Sequence, residues 1–198
     1  MKNNGKTRVT AEELLSRLQS DPAWVAKRQE EERVRAERAS HLRAAEAPLI
    51  AELADRGLQV ESVWDLVNTA GSYSAAIPVL LDHLRKPYPD KVAEGIARAL
   101  AVAEAYPYWQ ALVDEYEATD VSAMPGKKDG LACAVAKTAR NISEVVRIIR
   151  NPLHGESRLL LLPALRQSHD PVAALALQEL AGDPVFKKEI ASWRHLKR

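Results

Sequence analysis

Apolar positions recur at helical spacing along most of the chain, and prolines and capping residues cut that pattern into short pieces. The clearest piece runs from Ile77 to Leu100. Ile77, Leu80, Leu81 and Leu84 lie at i, i+3, i+4 and i+7, one stripe of an α-helix. Pro87 and Pro89 then break the helix, because proline lacks an amide donor and crowds the preceding turn. A second stripe follows at Val92, Ile96, Ala99, Leu100 and Ala103. Two short amphipathic helices joined by a proline turn cannot bury both apolar faces alone, so they need neighbours of the same kind.

Upstream, Thr10 and Glu13 make a capping box ahead of Leu14, Leu15 and Leu18, and Asp21-Pro22 starts a second helix. From Ala23 to about Glu46 the pattern predicts one long charged helix. Lys27, Glu31 and Arg35 form an i, i+4 ladder of alternating sign, Arg33 and Glu37 pair likewise, and apolar positions are sparse (Val25, Val34, Leu42). That suits a solvated helix resting one edge on the body better than a coiled-coil arm, which needs sustained heptads. Pro48 is expected to kink or restart this helix, Leu49, Ile50 and Leu53 continue it, and Gly57 is a C-cap residue. Ser62 caps a short helix carrying Trp64 and Val67. These features divide the chain into an N-terminal helical extension, residues 1–60, and a helical domain, residues 61–198.

Downstream, Pro107 starts a helix with Trp109, Leu112, Val113 and Tyr116 on one stripe. Thr119 to Gly130 is expected to be the longest loop, followed by a small-residue helix over Leu131–Ala139. Asn141 and Glu144 start the next helix, and Asn151 to Glu156 breaks it. Pro163 is expected to bend the leucine-rich stretch from Ser157 to Gln167. Asp170-Pro171 and Asp183-Pro184 repeat the cap-plus-proline device.

Composition agrees with an all-α fold: alanine, leucine, glutamate and arginine dominate the 198 residues, and there is one Phe. The formal net charge of +1 lacks the basic excess of a general nucleic-acid binder. The single Cys133, set among small apolar residues, excludes an intrachain disulfide and a thiolate cluster and reads as a buried, inert thiol. No apolar run reaches the roughly 18 residues that a membrane span needs. The polar start, Met1 to Val9, is expected to be mobile and has no signal-peptide core, so a cytoplasmic location is the default.

Three segments line up: Leu81–Ala101, Val146–Arg166 and Pro163–Ala181. Each has an apolar helix ending in Arg (Arg85, Arg150, Arg166), a turn with proline or glycine, and a second apolar helix. Over roughly Ser72 to Ala191 the chain thereby resembles HEAT-like and armadillo-type helical repeats, with uneven spacing that also fits an ordinary helical bundle. The resemblance implies a right-handed α-α superhelix whose second helices line a concave side. Lys91, Glu94, Arg98, Lys128, Asp129, Ser157 and Arg158 would then face the groove.

No catalytic spacing emerges. His41, His83, His154, His169 and His195 form no metal-binding motif; Asp82 and His83, adjacent on a helix, point about 100° apart and are not expected to chelate together. His154 lies in a turn beside a predicted helix N-terminus, a place suited to an anion. Gly155-Glu156-Ser157 lacks the second glycine and the strand of a nucleophile elbow. Gly126-Lys127-Lys128 lacks the rest of a phosphate-binding loop, and spacing selects no acid–base pair among Asp65, Glu94, Asp129 and Glu156. Trp24, Trp64, Trp109 and Trp193 read as core anchors. Tyr73, Tyr88, Tyr106 and Tyr108 fall at predicted turns along one rim.

The leading expectation is a non-enzymatic protein-binding module, of adaptor or toxin-neutralising immunity type. It would use Glu94, Arg98, Asp129, His154, Ser157 and Arg158, with no catalytic residue, metal or cofactor. A nucleic-acid-binding or DNA-glycosylase-like HEAT protein is the alternative, with Arg85, Arg98, Lys127, Lys128, Arg150, Arg158 and Arg166 as phosphate contacts. A small-molecule enzyme with a groove around His154, Arg158 and Glu94 is the third. The sequence sets no oligomeric state.

Overall fold

The computed structural model describes residues 10–193; the Met1–Val9 segment and His195 lie outside the described residues. Among the described residues the regular structure is helical throughout, without a strand. The α-helices are α1 (Ala11–Gln19), α2 (Pro22–Asp55), α3 (Val63–Asn68), α4 (Ile77–His83), α5 (Asp90–Ala99) and α6 (Trp109–Ala118). They continue as α7 (Pro125–Lys137), α8 (Ile142–Arg150), α9 (Leu162–Gln167), α10 (Pro171–Leu180) and α11 (Lys187–Ser192). Segments of 3-10 helix cover Ser74–Ala76, Ala103–Tyr108 and Pro152–Leu161.

The chain divides into two compact units, Met1–Ala44 and Ala45–Arg198, with the division inside α2. Burial changes at the same place. No described residue of the first unit is buried, whereas Glu46, Leu49 and Leu53 near the end of α2 are core residues of the second. In the first unit Thr10 and Glu13 exchange the two bonds of a capping box, and the Asp21 carboxylate accepts from the Ala23 amide at 2.9 Å. The exposed face of α2 carries i, i+4 and i, i+3 pairs, Arg28–Glu32 at 3.2 Å and Arg33–Glu30 at 2.6 Å. Such solvent-exposed pairs contribute little to stability.

The helix runs through Pro48 without the expected restart. Proline costs one internal bond there, but Leu49 and Leu53 are fully buried beside it and hold the turn to the core. Gly57, at φ +82°, ends the helix. Its amide donates to Ala54 and the Leu58 amide to Leu53, the paired bonds of a Schellman motif.

In the second unit α5 packs chiefly on α7 and α3. Helix α7 packs also on α6, α9 and the Pro152–Leu161 segment, and α10 lies on α8 and α9. The row α3, α5, α7 and Pro152–Leu161 is held close by missing side chains. A Cβ on Gly95 would lie 2.6 Å from Val63 Cγ1, and one on Gly130 would lie 2.8 Å from the Glu94 carbonyl oxygen. Both glycines sit in one pattern, Glu94-Gly95-Ile96-Ala97 and Asp129-Gly130-Leu131-Ala132, so the same backbone approach is written twice.

Helix ends are satisfied by side chains from neighbouring elements at repeated offsets. Tyr73 Oη donates to the Ala99 carbonyl at 2.9 Å and Trp109 Nε1 to the Val135 carbonyl at 3.3 Å, each across 26 residues. Lys128 Nζ donates to the Thr119 carbonyl at 2.9 Å, and Arg158 Nη1 to the Ile149 carbonyl at 3.2 Å, each across 9 residues. Orphan carbonyls at a helix C-terminus attract cations. Two buried cations therefore close the ends of α6 and α8 in the same way. The same offset joins the end of α6 to Lys128 of α7 and the end of α8 to Arg158 of the 3-10 segment.

Two expected breaks moved. Helix α7 begins at Pro125, so Lys128 and Asp129 are helical and the Thr119–Gly130 loop is about half as long as expected. Its cap is remote: the Asp90 carboxylate on α5 accepts from the Gly126 and Lys127 amides, both at 2.9 Å. The bend near Pro163 is a change of helix type, from 3-10 to α, with proline in the first turn of α9, and Gly155 at φ 62° interrupts the 3-10 segment before it.

Gly130→Ala should lower the unfolding free energy by about 1–3 kcal/mol through overpacking, outweighing the roughly 1 kcal/mol that alanine gains in a free helix. Urea denaturation measures it, with Gly182→Ala as the control, since its nearest neighbour would be 3.5 Å away.

Candidate functional site

The six residues expected to face a partner separate into two groups. His154, Ser157 and Arg158 are interior, at 5%, 2% and 6% exposure, and each is used by the fold. Ser157 Oγ donates to the His154 carbonyl at 2.7 Å, which leaves Tyr116 Oη as the donor in the 2.8 Å Tyr116–Ser157 bond. Burial raises the Tyr116 phenol to about 12, so it stays protonated for that role. The His154 ring lies 4.9 Å from the Tyr116 ring, and Asn151 Nδ2 is 3.3 Å from His154 Nε2. An amide nitrogen only donates, so Nε2 is the unprotonated acceptor and the ring is neutral. Desolvation first, and then the Lys128 charge, hold the His154 imidazole below its ordinary 6.5. Arg158 donates from Nε to the Gly155 carbonyl at 2.8 Å, caps α8, and stacks 5.0 Å from the Phe186 ring.

Lys128, expected in the groove, is likewise 1% exposed. Its ammonium bonds the Tyr116 and Thr119 carbonyls and stands 4.1 Å from the Tyr116 ring centroid. These four residues are therefore engaged in the interior of the fold rather than set along an open groove. The enzyme groove drawn from His154, Arg158 and Glu94 does not form, because two of its three members point their polar atoms into the core.

Glu94, Arg98 and Asp129 are brought together on the adjoining faces of α5 and α7. Arg98 Nε donates to Glu94 Oε1 at 2.8 Å, Lys91 Nζ to Glu94 Oε2 at 3.0 Å, and Arg98 Nη1 lies 3.6 Å from Cys133 Sγ. The Lys91 ammonium stands 4.1 Å from the Trp64 ring, so α3 joins the same face. Spacing explains the placement: residues 91, 94 and 98 lie on one side of α5, and 129 and 133 on one side of α7.

Asp129 is the unsettled member. Among the described residues it accepts no hydrogen bond and makes no ion pair. Burial raises its carboxyl most; the charges of Glu94, Asp90 and Glu156 add to that, against Arg98 alone. The two cations nearest the face, Lys91 and Arg98, are both already bound to Glu94, whose carboxyl is held low by those bonds despite its burial. The Cys133 thiol is pushed up, chiefly by burial, which keeps it protonated and unreactive.

The cations of the nucleic-acid reading are engaged elsewhere. Lys127 and Arg85 both meet Glu115, at 2.6 and 3.6 Å, Arg150 meets Glu179 at 2.5 Å, and Arg166 stacks 4.8 Å from Trp193. The aromatic positions also part company. Trp109 is buried, whereas Trp24, Trp64 and Trp193 are half-exposed; Tyr73 is buried, Tyr88 half-buried, and Tyr106 and Tyr108 exposed. Among the described residues no helix is long and apolar enough to cross a membrane. Compared with known proteins, the chain matches no family model, no curated protein and no solved structure.

Unfolding His154 frees it to titrate at its ordinary value of 6.5, above its folded value, so the unfolded state takes up the proton first as pH falls. Its contribution to stability is complete above 6.5 and is lost progressively below. Chemical denaturation at pH 7 and pH 5 should show that loss in the native chain and a flatter profile in His154→Gln.

Proposed function

We propose that the chain is a non-enzymatic helical-repeat module of HEAT-like type that binds a protein partner through the face built on α3, α5 and α7. In this reading the hairpins wind as a right-handed α-α superhelix and that face lines its inner side. The recurring remote caps and the duplicated acid–glycine pattern support a repeat. Fold alone assigns no function, so the weight rests on Asp129, a partly buried carboxylate beside the Glu94–Arg98 pair. A carboxyl raised by burial in such a place is a candidate binding group. A partner side chain bearing a positive charge, set beside Asp129 with Trp64 and Arg98 flanking it, completes the arrangement. An adaptor or a toxin-neutralising immunity protein would both use such a face. The nucleic-acid alternative finds less support, since its cations close helix ends or pair with carboxylates.

Asp129 titrates above its ordinary 3.8 in the folded chain. Its stabilising contribution is present below 3.8 and is lost as pH rises through the folded value, so the ionised form is a net cost at pH 7. Asp129→Asn should therefore raise the thermal midpoint at pH 7 while reducing recovery of the protein partner in a quantitative pull-down from native lysate. Arg98→Ala should reduce recovery as well. A pull-down that yields no partner, or one equally strong with Asp129→Asn, overturns the reading.

A further inference from the structure

We propose that Glu52, Asp82 and His83 form a binding site for one divalent transition-metal ion of the Zn2+ type. The sequence sets Asp82 and His83 on diverging bearings along α4, but the end of α2 fills the angle between them with Glu52. One ligand atom from each of the three, a carboxylate oxygen or a ring nitrogen, lies within 4.8 Å of the other two. His83 Nε2 and Glu52 Oε2 are 2.9 Å apart. Zinc bonds of about 2.0–2.2 Å in a tetrahedron set ligand atoms roughly 3.4 Å apart, a separation that small side-chain movements reach from a 2.9 Å pair and a third ligand atom within 4.8 Å.

The ring is set for the task. The His83 side chain is 2% exposed, and its second nitrogen, Nδ1, is 2.6 Å from Tyr88 Oη, with the two rings stacked at 5.8 Å. A ligating imidazole needs its other nitrogen anchored, which fixes the ring and its tautomer. A tyrosine hydroxyl both donates and accepts. In the free chain the Glu52 carboxylate accepts from Nε2–H; with metal on Nε2, the ring proton sits on Nδ1 and Tyr88 Oη accepts it. Nothing has to be rebuilt in the core for either state. The carboxylates are the accessible side, with Glu52 at 40% and Asp82 at 63% side-chain exposure. Asp82 now pairs with Lys86 at 2.7 Å, a long exposed side chain free to swing into water. One imidazole and two carboxylates suit Zn2+ better than Ca2+ or Mg2+, which take all-oxygen shells. The fourth position is left to water. The bound ion ties the end of α2 to α4.

The test is calorimetric titration of the full, chelator-stripped chain with Zn2+, together with Co2+ absorption. The native chain is expected to take up one Zn2+, to gain thermal stability on doing so, and to give Co2+ the visible bands of four-coordinate geometry. Asp82→Asn and Glu52→Gln keep the size of each side chain, and the amide oxygen that Glu52→Gln introduces can still accept from His83 Nε2; each should weaken Zn2+ binding by about tenfold or more. No Zn2+ uptake by the native chain, or uptake equally tight in both variants, overturns the site; the latter places the ion on surface histidines such as His41 or His169.

Discussion

Helices α5 and α7 approach so closely that one added methyl group at Gly130 would touch the Glu94 carbonyl oxygen and Ala97 Cβ, both at 2.8 Å. The rest of the second unit follows from that contact. It brings the Asp90 carboxylate onto the first amides of α7, which start there without a cap of their own. It also sets Glu94 and Arg98 beside Asp129 and Cys133. With bulkier residues between them the helices would stand apart at the usual 8–10 Å interaxial distance, the remote cap would lose its reach, and the face would have no depth in which to half-bury a carboxylate.

A second constraint is electrostatic. Short helices expose as many orphan carbonyls as long ones, so the run from α3 to α11, helices of six to thirteen residues, must satisfy many ends for little helical length. Lys128 and Arg158 meet this demand from inside, each placing a cation on the C-terminal carbonyls of the preceding helix. For Lys128 desolvation still lowers the ammonium, so the bonds offset the burial only in part. These two residues look like groove residues in one dimension, being charged positions on second helices. Burial reassigns them, and with them the positive charge that a nucleic-acid surface would need.

What the residues reveal alone is local. The capping box at Thr10, the caps at Ser62, Asp21 and Asp170, the glycine stop at Gly57 and the stripe from Trp109 to Tyr116 all depend on neighbours within a few positions, and all occur as the sequence predicts. What stays hidden is set by partners far along the chain. The start of α7 is fixed by Asp90, across 36 residues. The continuity of α2 through Pro48 is fixed by the core beneath Leu49 and Leu53, and the burial of His154 and Ser157 by Tyr116, 41 residues from Ser157. The duplicated Glu94–Ala97 and Asp129–Ala132 patterns were the one signal that could have placed Asp129 on a helix.

Of the six candidate residues, three turned inward and three converged. That outcome separates two kinds of charged position that look alike in a sequence. Arg158 and Lys128 each bond two backbone carbonyls and stand on an aromatic ring, so removing either would leave carbonyls in the core without a donor. Asp129 has no carbonyl or ring to close and stands beside the Glu94–Arg98 pair, where solvent reaches it. The proposed face is drawn around it for that reason, and not around the buried Tyr116–Ser157–His154 network, whose bonds are internal.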